Sequence, residues 1–172
     1  ALSLVPRGNI GVAYTYNEPL VSWEYVRDAS RCVRSLGMKN VVVTNGCVGT
    51  GVIEKVLPYI DAMNIDLKGF TREWYASLGG DLDVVKDTIA RSAKKTHVEV
   101  TTLIVPGKND GEEEIRLLAQ WVSKIDKKIP LHITRFFPHW RMPDAEATPV
   151  DTVYRSVSAA REYLEYVYPG NC

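Results

Sequence analysis

The stretch Val41-Val42-Val43-Thr44-Asn45-Gly46 carries the pattern that decides the fold, because three β-branched residues lead directly into a polar turn. A short, continuous apolar run of this kind is typical of a parallel strand that is buried on both faces. Before it, apolar or small residues recur at helical spacing: Trp23, Val26, Ser30, Val33 and Leu36. Gly37 follows at the position where glycine commonly ends a helix. The segment is therefore predicted to be a helix followed by a buried strand.

The same alternation of strand and helix recurs along the chain. Strands are predicted over Ile10 to Tyr16, Val41 to Val43, Met63 to Leu67, Val98 to Val105 and Leu131 to Thr134. Amphipathic helices are predicted around residues 83–94, 115–122 and 153–164, the second with a capping box formed by Asp110 and Glu113. Strand, helix and strand at this spacing indicate right-handed βαβ units and a parallel sheet.

The length of the chain limits how far such a sheet can close. A closed eight-fold barrel needs about 250 residues, and the chain has 172. We therefore predict an α/β fold in one domain over residues 1–172, with about five parallel strands and outer helices. It would be either an open doubly wound sheet or an incomplete (βα) barrel that resembles a TIM barrel, and we favour the barrel.

Composition excludes several classes of function. Lysine plus arginine and aspartate plus glutamate number 21 each, and a net charge near zero argues against a nucleic-acid partner. No apolar run approaches the roughly 20 residues that span a bilayer, and no signal peptide is visible, so we predict no membrane partner. With three scattered cysteines, a cytoplasmic, reduced setting is the default expectation. Cys32, Cys47 and Cys172 are far apart, which argues against a disulfide framework and gives no metal-binding spacing.

Polar residues follow every predicted strand. The five segments are Tyr16-Asn17-Glu18-Pro19, Thr44-Asn45-Gly46, Asn64-Ile65-Asp66-Leu67-Lys68, Val105-Pro106-Gly107-Lys108-Asn109-Asp110 and Arg135-Phe136-Phe137-Pro138-His139-Trp140. Because the carboxyl ends of parallel strands meet at one edge of a sheet, we expect a site at that edge. Its carboxylates, lysine, amides, histidine and aromatic rings would suit a zwitterionic ligand that carries a flat base.

Each segment also has a purely structural interpretation. Asn17 can cap a helix that has a proline in its first turn, and the residues around Asn45 can form an ordinary turn. Asp66 and Lys68 lie two residues apart at a strand end and can form a surface ion pair. His139 can be a packed loop residue. The order of the five segments along the strands favours a site over these separate interpretations.

This ordered set of segments resembles a known superfamily. The resemblance is carried by Tyr14-Thr15-Tyr16-Asn17-Glu18-Pro19, Val43-Thr44-Asn45-Gly46, Asn64-Ile65-Asp66-Leu67-Lys68, Val100-Thr101-Thr102-Leu103-Ile104-Val105-Pro106-Gly107 and Thr134-Arg135-Phe136-Phe137-Pro138-His139. From about residue 8 to residue 171 the chain resembles radical S-adenosylmethionine (SAM) enzymes. Within them it is similar to the pyruvate formate-lyase activating enzyme, and most similar to the radical SAM group associated with the AMMECR1 and Memo families.

The resemblance implies roles for the residues that match the family's motifs. Asn17 and Glu18 take the place of a Gly-Gly-Glu motif whose acidic residue helps to bind the SAM amino group. This chain has Tyr-Asn-Glu there, so of the motif only the carboxylate is retained. Asn45 matches a turn residue near SAM. Asp66 and Lys68 match an Asp-x-Lys pair, which implies that Lys68 faces the SAM carboxylate.

The same resemblance extends to the other end of the ligand. Val105 is implied to lie where the fourth strand approaches the adenine, and His139 to line the nucleoside pocket. No catalytic residue and no metal ligand is expected among these 172 residues. The family's cluster-binding cysteines sit on a loop after the first strand, whereas this chain is expected to open at the second strand.

The chemistry and partners that the resemblance implies belong to a full-length protein. There a [4Fe–4S] cluster would reduce SAM to methionine and a 5′-deoxyadenosyl radical, which abstracts a hydrogen atom. The hydrogen atom would come from a glycyl-radical enzyme or another protein substrate. The electron donor would be a protein such as flavodoxin or ferredoxin. The fragment alone is expected to be inactive. Gly11 to Tyr16 is expected to be an edge strand that could serve in a dimer contact.

Three other interpretations of the sequence stay open. The radical SAM domain could act on a different target. The chain could be a non-catalytic α/β domain that binds a small anionic ligand at the same edge. It could also be an unrelated barrel enzyme that uses Glu18, Asp66 and Lys68 as acid and base groups.

Overall fold

A computed structural model describes all 172 residues of the chain. The fold is parallel α/β, with six strands in one open sheet in chain order: β1 (Gly11–Tyr14), β2 (Lys39–Thr44), β3 (Ala62–Asp66), β4 (His97–Ile104), β5 (Leu131–Arg135) and β6 (Val167–Gly170). The helices are α1 (Trp23–Ser35), α2 (Thr50–Val56), α3 (Arg72–Ser77), α4 (Leu82–Ser92), α5 (Glu112–Asp126) and α6 (Val150–Ala160), with short 3₁₀ segments at Leu2–Arg7, Pro19–Ser22 and Leu57–Tyr59. None of these helices combines the length and apolar character needed to cross a membrane.

The predicted parallel α/β class is confirmed, and the count of about five strands falls one short. The missed strand is β6, Val-Tyr-Pro-Gly, in which Val167 alone is buried. Proline and glycine are depleted in strands, and proline is tolerated mainly at a sheet edge, where β6 lies. The predicted edge position of Gly11 to Tyr16 agrees with β1, which pairs with β2 alone.

The chain divides into two compact units, the first made of Ala1–Ile65 and Val84–Val98, the second of Asp66–Asp83 and Glu99–Cys172. The expectation of one domain over residues 1–172 stays a prediction.

The first unit contains the parallel pairs β1–β2 and β2–β3, with Tyr14 opposite Val42 and Thr44 opposite Ile65. Helix α1 buries the predicted face around Val26 and Val33. It ends at its C-cap Leu36, and the following Gly37 has φ 73°, which confirms the predicted stop. Fully buried apolar side chains form the core: Val42, Ile53, Val56, Met63, Ile65, Val85 and Ile89.

A buried polar residue, Asn40, links several elements of the first unit by hydrogen bonds. Asn40 is 0% exposed, and its Nδ2 donates to the carbonyl oxygens of Ser30 and Tyr59, each at 3.0 Å. Its Oδ1 accepts a bond of 3.3 Å from the hydroxyl of Tyr14. One side chain therefore joins β1, β2, α1 and the end of the Leu57–Tyr59 turn, which leaves its polar atoms satisfied in the core.

The second unit contains the parallel pairs β4–β5 and β5–β6. Helix α5 buries Ile115, Leu118, Ala119 and Val122, the face predicted from the sequence. The predicted capping box is wrong, because the N-cap is Gly111 and makes no side-chain capping bond. Asp110 instead accepts a bond of 3.0 Å from the backbone N–H of Gly107 and closes the preceding turn. Helix α6 ends at Ala160, earlier than the predicted residue 164.

Candidate functional site

The carboxylate of Glu18 is the centre of a hydrogen-bonded cluster in the first unit. Its Oε1 accepts bonds from the backbone N–H of Leu20 at 3.1 Å and the hydroxyl of Thr44 at 2.6 Å. Its Oε2 accepts a bond of 2.7 Å from the backbone N–H of Asn45. Glu18 is thus the N-cap of the Pro19–Ser22 turn and also joins that turn to the end of β2. About four lone-pair positions surround a carboxylate, so one acceptor position on Oε2 is left.

The turn after β2 is built by its own side chains. The Asn45 Oδ1 accepts a bond of 2.8 Å from the N–H of Cys47, and the Thr44 hydroxyl accepts one of 3.1 Å from Gly46. Gly46 has φ 70°, and a Cβ atom there would lie 2.7 Å from Cγ2 of Ile65. The backbone therefore requires glycine at this position. Asn17, which was predicted as a cap or a ligand residue, is exposed and makes no side-chain hydrogen bond.

Asp66 and Lys68 form an ion pair at the end of β3, in the second unit. The Lys68 Nζ lies 2.8 Å from Oδ2 of Asp66, and the two side chains are 41% and 32% exposed. This is the ion pair that the sequence allowed. At such exposure the pair contributes little to folding stability, and both groups can exchange their partner for a charged ligand.

The backbone of Lys68 is held by three side chains. Its N–H donates to the hydroxyl of Tyr75 at 2.9 Å. Its carbonyl accepts from Nε1 of Trp74 at 2.7 Å and from Nδ2 of Asn109 at 2.8 Å. Asn109 also accepts a bond of 2.7 Å from the N–H of Val105. The structure therefore links the predicted site residues Lys68 and Val105 through Asn109, which lies in the polar segment after the fourth predicted strand and had no role of its own predicted from the sequence.

The residues after Lys68 pack against the first turn of α5. Oε1 of Glu114 accepts a bond of 2.6 Å from the N–H of Phe70. Burial raises the pKa of Glu114, the Phe70 bond opposes that rise, and the charge of Asp110 adds to it. A Cβ atom on Gly69 would lie 2.5 Å from Cδ1 of Trp74. Close packing thus fixes the path of the loop that follows Lys68.

His139 lies in the loop after β5, where it is exposed and makes no side-chain hydrogen bond. The same loop exposes Phe137 and Trp140, which are 50% and 76% exposed. Arg135 lies over the Phe137 ring at 4.7 Å, and Arg141 lies over the Trp140 ring at 4.3 Å. The structure does not bring His139 into contact with Lys68 or Val105, so its predicted role in a pocket stays a prediction.

A second polar group lies on β4, β5 and β6. Nε2 of His132 is 2.6 Å from Oε2 of Glu99, and the His132 ring stacks on Tyr168 with centroids 5.6 Å apart. In β4 the residues alternate between buried and half-buried, and Glu99 is on the half-buried face. None of these three residues was predicted from the sequence to belong to a site. The alternation in β4 was the only signal available, and it marks a sheet face without marking a site.

The charged groups of each unit can bind an ionic ligand. In the second unit Lys68 offers an ammonium group to a carboxylate and Asp66 offers a carboxylate to an ammonium group. In the first unit Glu18 offers a carboxylate. The chain contains no group of three His, Cys, Asp or Glu side chains that could hold a metal ion, and its three cysteines are exposed and unpaired. The residues present therefore do not fit an iron–sulfur cluster.

Comparison with known proteins gives the family and the fold. A family model described as the Radical SAM superfamily matches residues 1–122. The chain is 39% identical to the uncharacterized protein MJ0808 of Methanocaldococcus jannaschii over 94% of its length, which is 49% of that protein. It is 27% identical to the 4-hydroxyphenylacetate decarboxylase activating enzyme of Clostridioides difficile over 69% of its length, which is 39% of that enzyme.

A solved structure has the same fold. The crystal structure of a domain of pyruvate-formate lyase-activating enzyme from Bacteroides vulgatus superposes with a TM-score of 0.78 at 18% identity, covering 94% of this chain and 99% of that one. The chain spans about half the length of the curated relatives it matches, or less. The family match over residues 1–122 covers well over half of the 172 residues, and the chain accordingly belongs to the radical SAM superfamily.

Proposed function

We propose that the chain is the SAM-binding part of a radical SAM enzyme that resembles the activating enzymes of glycyl-radical enzymes. The observation that carries the proposal is the family match together with the charged pair Asp66–Lys68 at the end of β3. The homology to the 4-hydroxyphenylacetate decarboxylase activating enzyme supports the activating type. The full-length protein would generate a 5′-deoxyadenosyl radical from SAM for hydrogen abstraction.

The proposed ligand contacts follow from the charges of the residues. Lys68 would bind the SAM carboxylate and release Asp66 to meet positive charge on the ligand. The remaining acceptor position of Glu18 would take a hydrogen bond from the SAM amino group. Asn45 would complete this set. Val105 and His139 would contact the adenosine part of SAM. Asn17, next to Glu18, would contact SAM through its backbone.

The [4Fe–4S] cluster is proposed only for the full-length protein. The cluster supplies the electron that cleaves SAM, and Cys32, Cys47 and Cys172 do not form a group that could hold it. We therefore propose that residues outside this chain bind the cluster, and that the chain alone has no turnover. The protein substrate would be a glycyl-radical enzyme, the electron donor a protein such as flavodoxin or ferredoxin, and the compartment the cytoplasm.

The test starts from the full-length protein, reconstituted anaerobically with iron and sulfide and then reduced. Formation of 5′-deoxyadenosine from SAM is the expected result. If the Lys68→Ala and Glu18→Gln variants both lower SAM affinity, the two residue sets bind the same molecule. A reconstituted protein that carries a cluster and forms no 5′-deoxyadenosine would contradict the proposal and favour a non-catalytic binding domain.

A radical SAM enzyme with a different target is the second candidate. The identity to the activating enzyme, 27%, is lower than that to the uncharacterized protein MJ0808, 39%, so the likeness to the activating type leaves the target open. Electron paramagnetic resonance of the reduced enzyme, mixed with SAM and a candidate glycyl-radical enzyme, separates the two. A glycyl radical supports the activating type. Formation of 5′-deoxyadenosine without a glycyl radical on any candidate supports a different target.

A further inference from the structure

One buried side chain joins the two strand ends that the proposed site uses in the second unit. Asn109 is 0% exposed. Its Nδ2 donates to the carbonyl oxygens of Lys68 at 2.8 Å and Leu103 at 2.9 Å, and its Oδ1 accepts from the N–H of Val105 at 2.7 Å. Both donor hydrogens and the acceptor oxygen are therefore used, which fixes the orientation of the amide.

The position of this bridge along the strands gives it a specific task. The backbone link between the end of β3 and β4 is made at Leu67, whose N–H donates to Thr101 at 2.9 Å and whose carbonyl accepts from the Thr102 hydroxyl at 2.8 Å. One residue later, Asn109 is the side chain that continues the link from Lys68 to the β4 end. Trp74 and Tyr75 of α3 also bind the Lys68 backbone, at 2.7 and 2.9 Å.

We propose that Asn109 is a positioning residue for SAM, which sets the distance between Lys68 and Val105 without touching the ligand. This inference rests on the proposed function, in which Lys68 binds the carboxylate of SAM and Val105 approaches its adenine. A ligand that reaches both strand ends gains affinity from their fixed spacing, because the second contact is then made at high effective concentration. A ligand that reaches one end gains nothing from that spacing.

The test compares SAM with two of its fragments on the 172-residue chain. Methionine has the amino-acid end, and 5′-methylthioadenosine has the adenine end. Dissociation constants come from amide chemical shifts in an NMR titration of wild-type and Asn109→Ala protein. The variant is expected to bind SAM about tenfold more weakly, while its affinity for each fragment changes by less than roughly threefold.

Asn40→Ala is the matched control, because Asn40 is also 0% exposed and also joins backbone carbonyls of separate segments. It bridges no proposed ligand residue, so its loss should lower stability without changing the ratio of SAM to fragment affinity. Should Asn109→Ala fail to fold, Asn109→Ser retains a hydroxyl that can donate to one carbonyl. We expect this variant to lose affinity for SAM but not for the fragments, by a smaller factor than Asn109→Ala.

The outcomes separate the inference from the proposed function. Equal loss of affinity for SAM and both fragments would mean a general structural role and would overturn the inference. Unchanged SAM affinity in a folded Asn109 variant would overturn it as well. A wild-type chain that shows no shift at Lys68 or Val105 with any of the three ligands would overturn the proposed SAM site itself.

Discussion

Replacing Glu18 tests whether its carboxylate organises the end of β2, as the structure indicates. Three donors point at this side chain: the N–H groups of Leu20 and Asn45 and the hydroxyl of Thr44, at 3.1, 2.7 and 2.6 Å. In Glu18→Ala all three lose their acceptor. In Glu18→Gln one carboxylate oxygen becomes an NH₂ group that cannot accept, so one side of the cluster is lost and the other is kept.

The size of the effect follows from what each donor loses. Thr44 is 3% exposed, and a buried donor without a partner costs about 1–3 kcal/mol. Asn45 is half-buried, so its N–H loses about 1 kcal/mol, the low end of that range. The Leu20 N–H loses a capping bond worth about 1 kcal/mol. We expect Glu18→Ala to lower the free energy of unfolding by roughly 3–5 kcal/mol and Glu18→Gln by about 1–2 kcal/mol.

Urea unfolding followed by circular dichroism measures both values. Glu24→Gln is the control, because Glu24 is an exposed acidic residue in the first turn of α1 and accepts no side-chain hydrogen bond. It should change the free energy of unfolding by less than about 0.5 kcal/mol. If Glu18→Ala behaves like Glu24→Gln, the carboxylate does not hold the three donors in solution and the argument is refuted.

Three further predictions concern the second unit and the turn after β2. Burial raises the pKa of Glu114 above its ordinary value of 4.5, so its contribution to stability is lost as the pH rises from about 4.5 through the raised pKa. Glu114→Gln should therefore be more stable than wild type in urea unfolding at pH 8 and show a smaller gain at pH 4; an equal gain at both values would contradict this. Lys68→Ala should weaken SAM binding to the full-length protein by roughly 1–3 kcal/mol in calorimetry, with a change in stability below about 1 kcal/mol; unchanged affinity would remove Lys68 from the site. Gly46→Ala places a Cβ atom 2.7 Å from Ile65 and should lower the melting temperature, whereas Gly51→Ala in α2, with open space around it, should raise it; the same shift for both would argue against the close contact.

The strands with buried apolar runs could be predicted from the sequence, and β6 could not. Val41 to Val43 are β-branched, as are six of the eight residues from Val98 to Val105, and in both strands buried and half-buried residues alternate. Burial and intrinsic propensity therefore point to the same structure. Pro169 and Gly170 oppose a strand locally, and β6 exists because it pairs in parallel with β5. Short helices such as α3 were missed because six residues carry too little periodicity.

The part of the candidate site that could be predicted is the pair of oppositely charged residues at the end of one strand. Asp66 and Lys68 are two residues apart at a strand end, which places both side chains on one side and allows the observed pair. The partners of Glu18 were not predictable, because Thr44 and Asn45 come from a strand that is distant in the sequence. The role of Asn109 could not be predicted, because its neighbours in the sequence are typical turn residues. Its amide bonds to Lys68 and Val105 form only in the folded chain.

The two outer strands limit how this chain can meet another. Leu131 donates to the Tyr166 carbonyl, so by alternation Pro169 points away from β5 and removes a donor from that border of the sheet. At the opposite border, the outward N–H of Gly11 is already taken by Oδ1 of Asn9 at 3.4 Å. Each border thus has one backbone donor fewer with which to recruit a neighbouring polypeptide. Sheet extension from one copy to the next is weakened at both borders, and side-chain contacts would supply more of the binding energy of a complex.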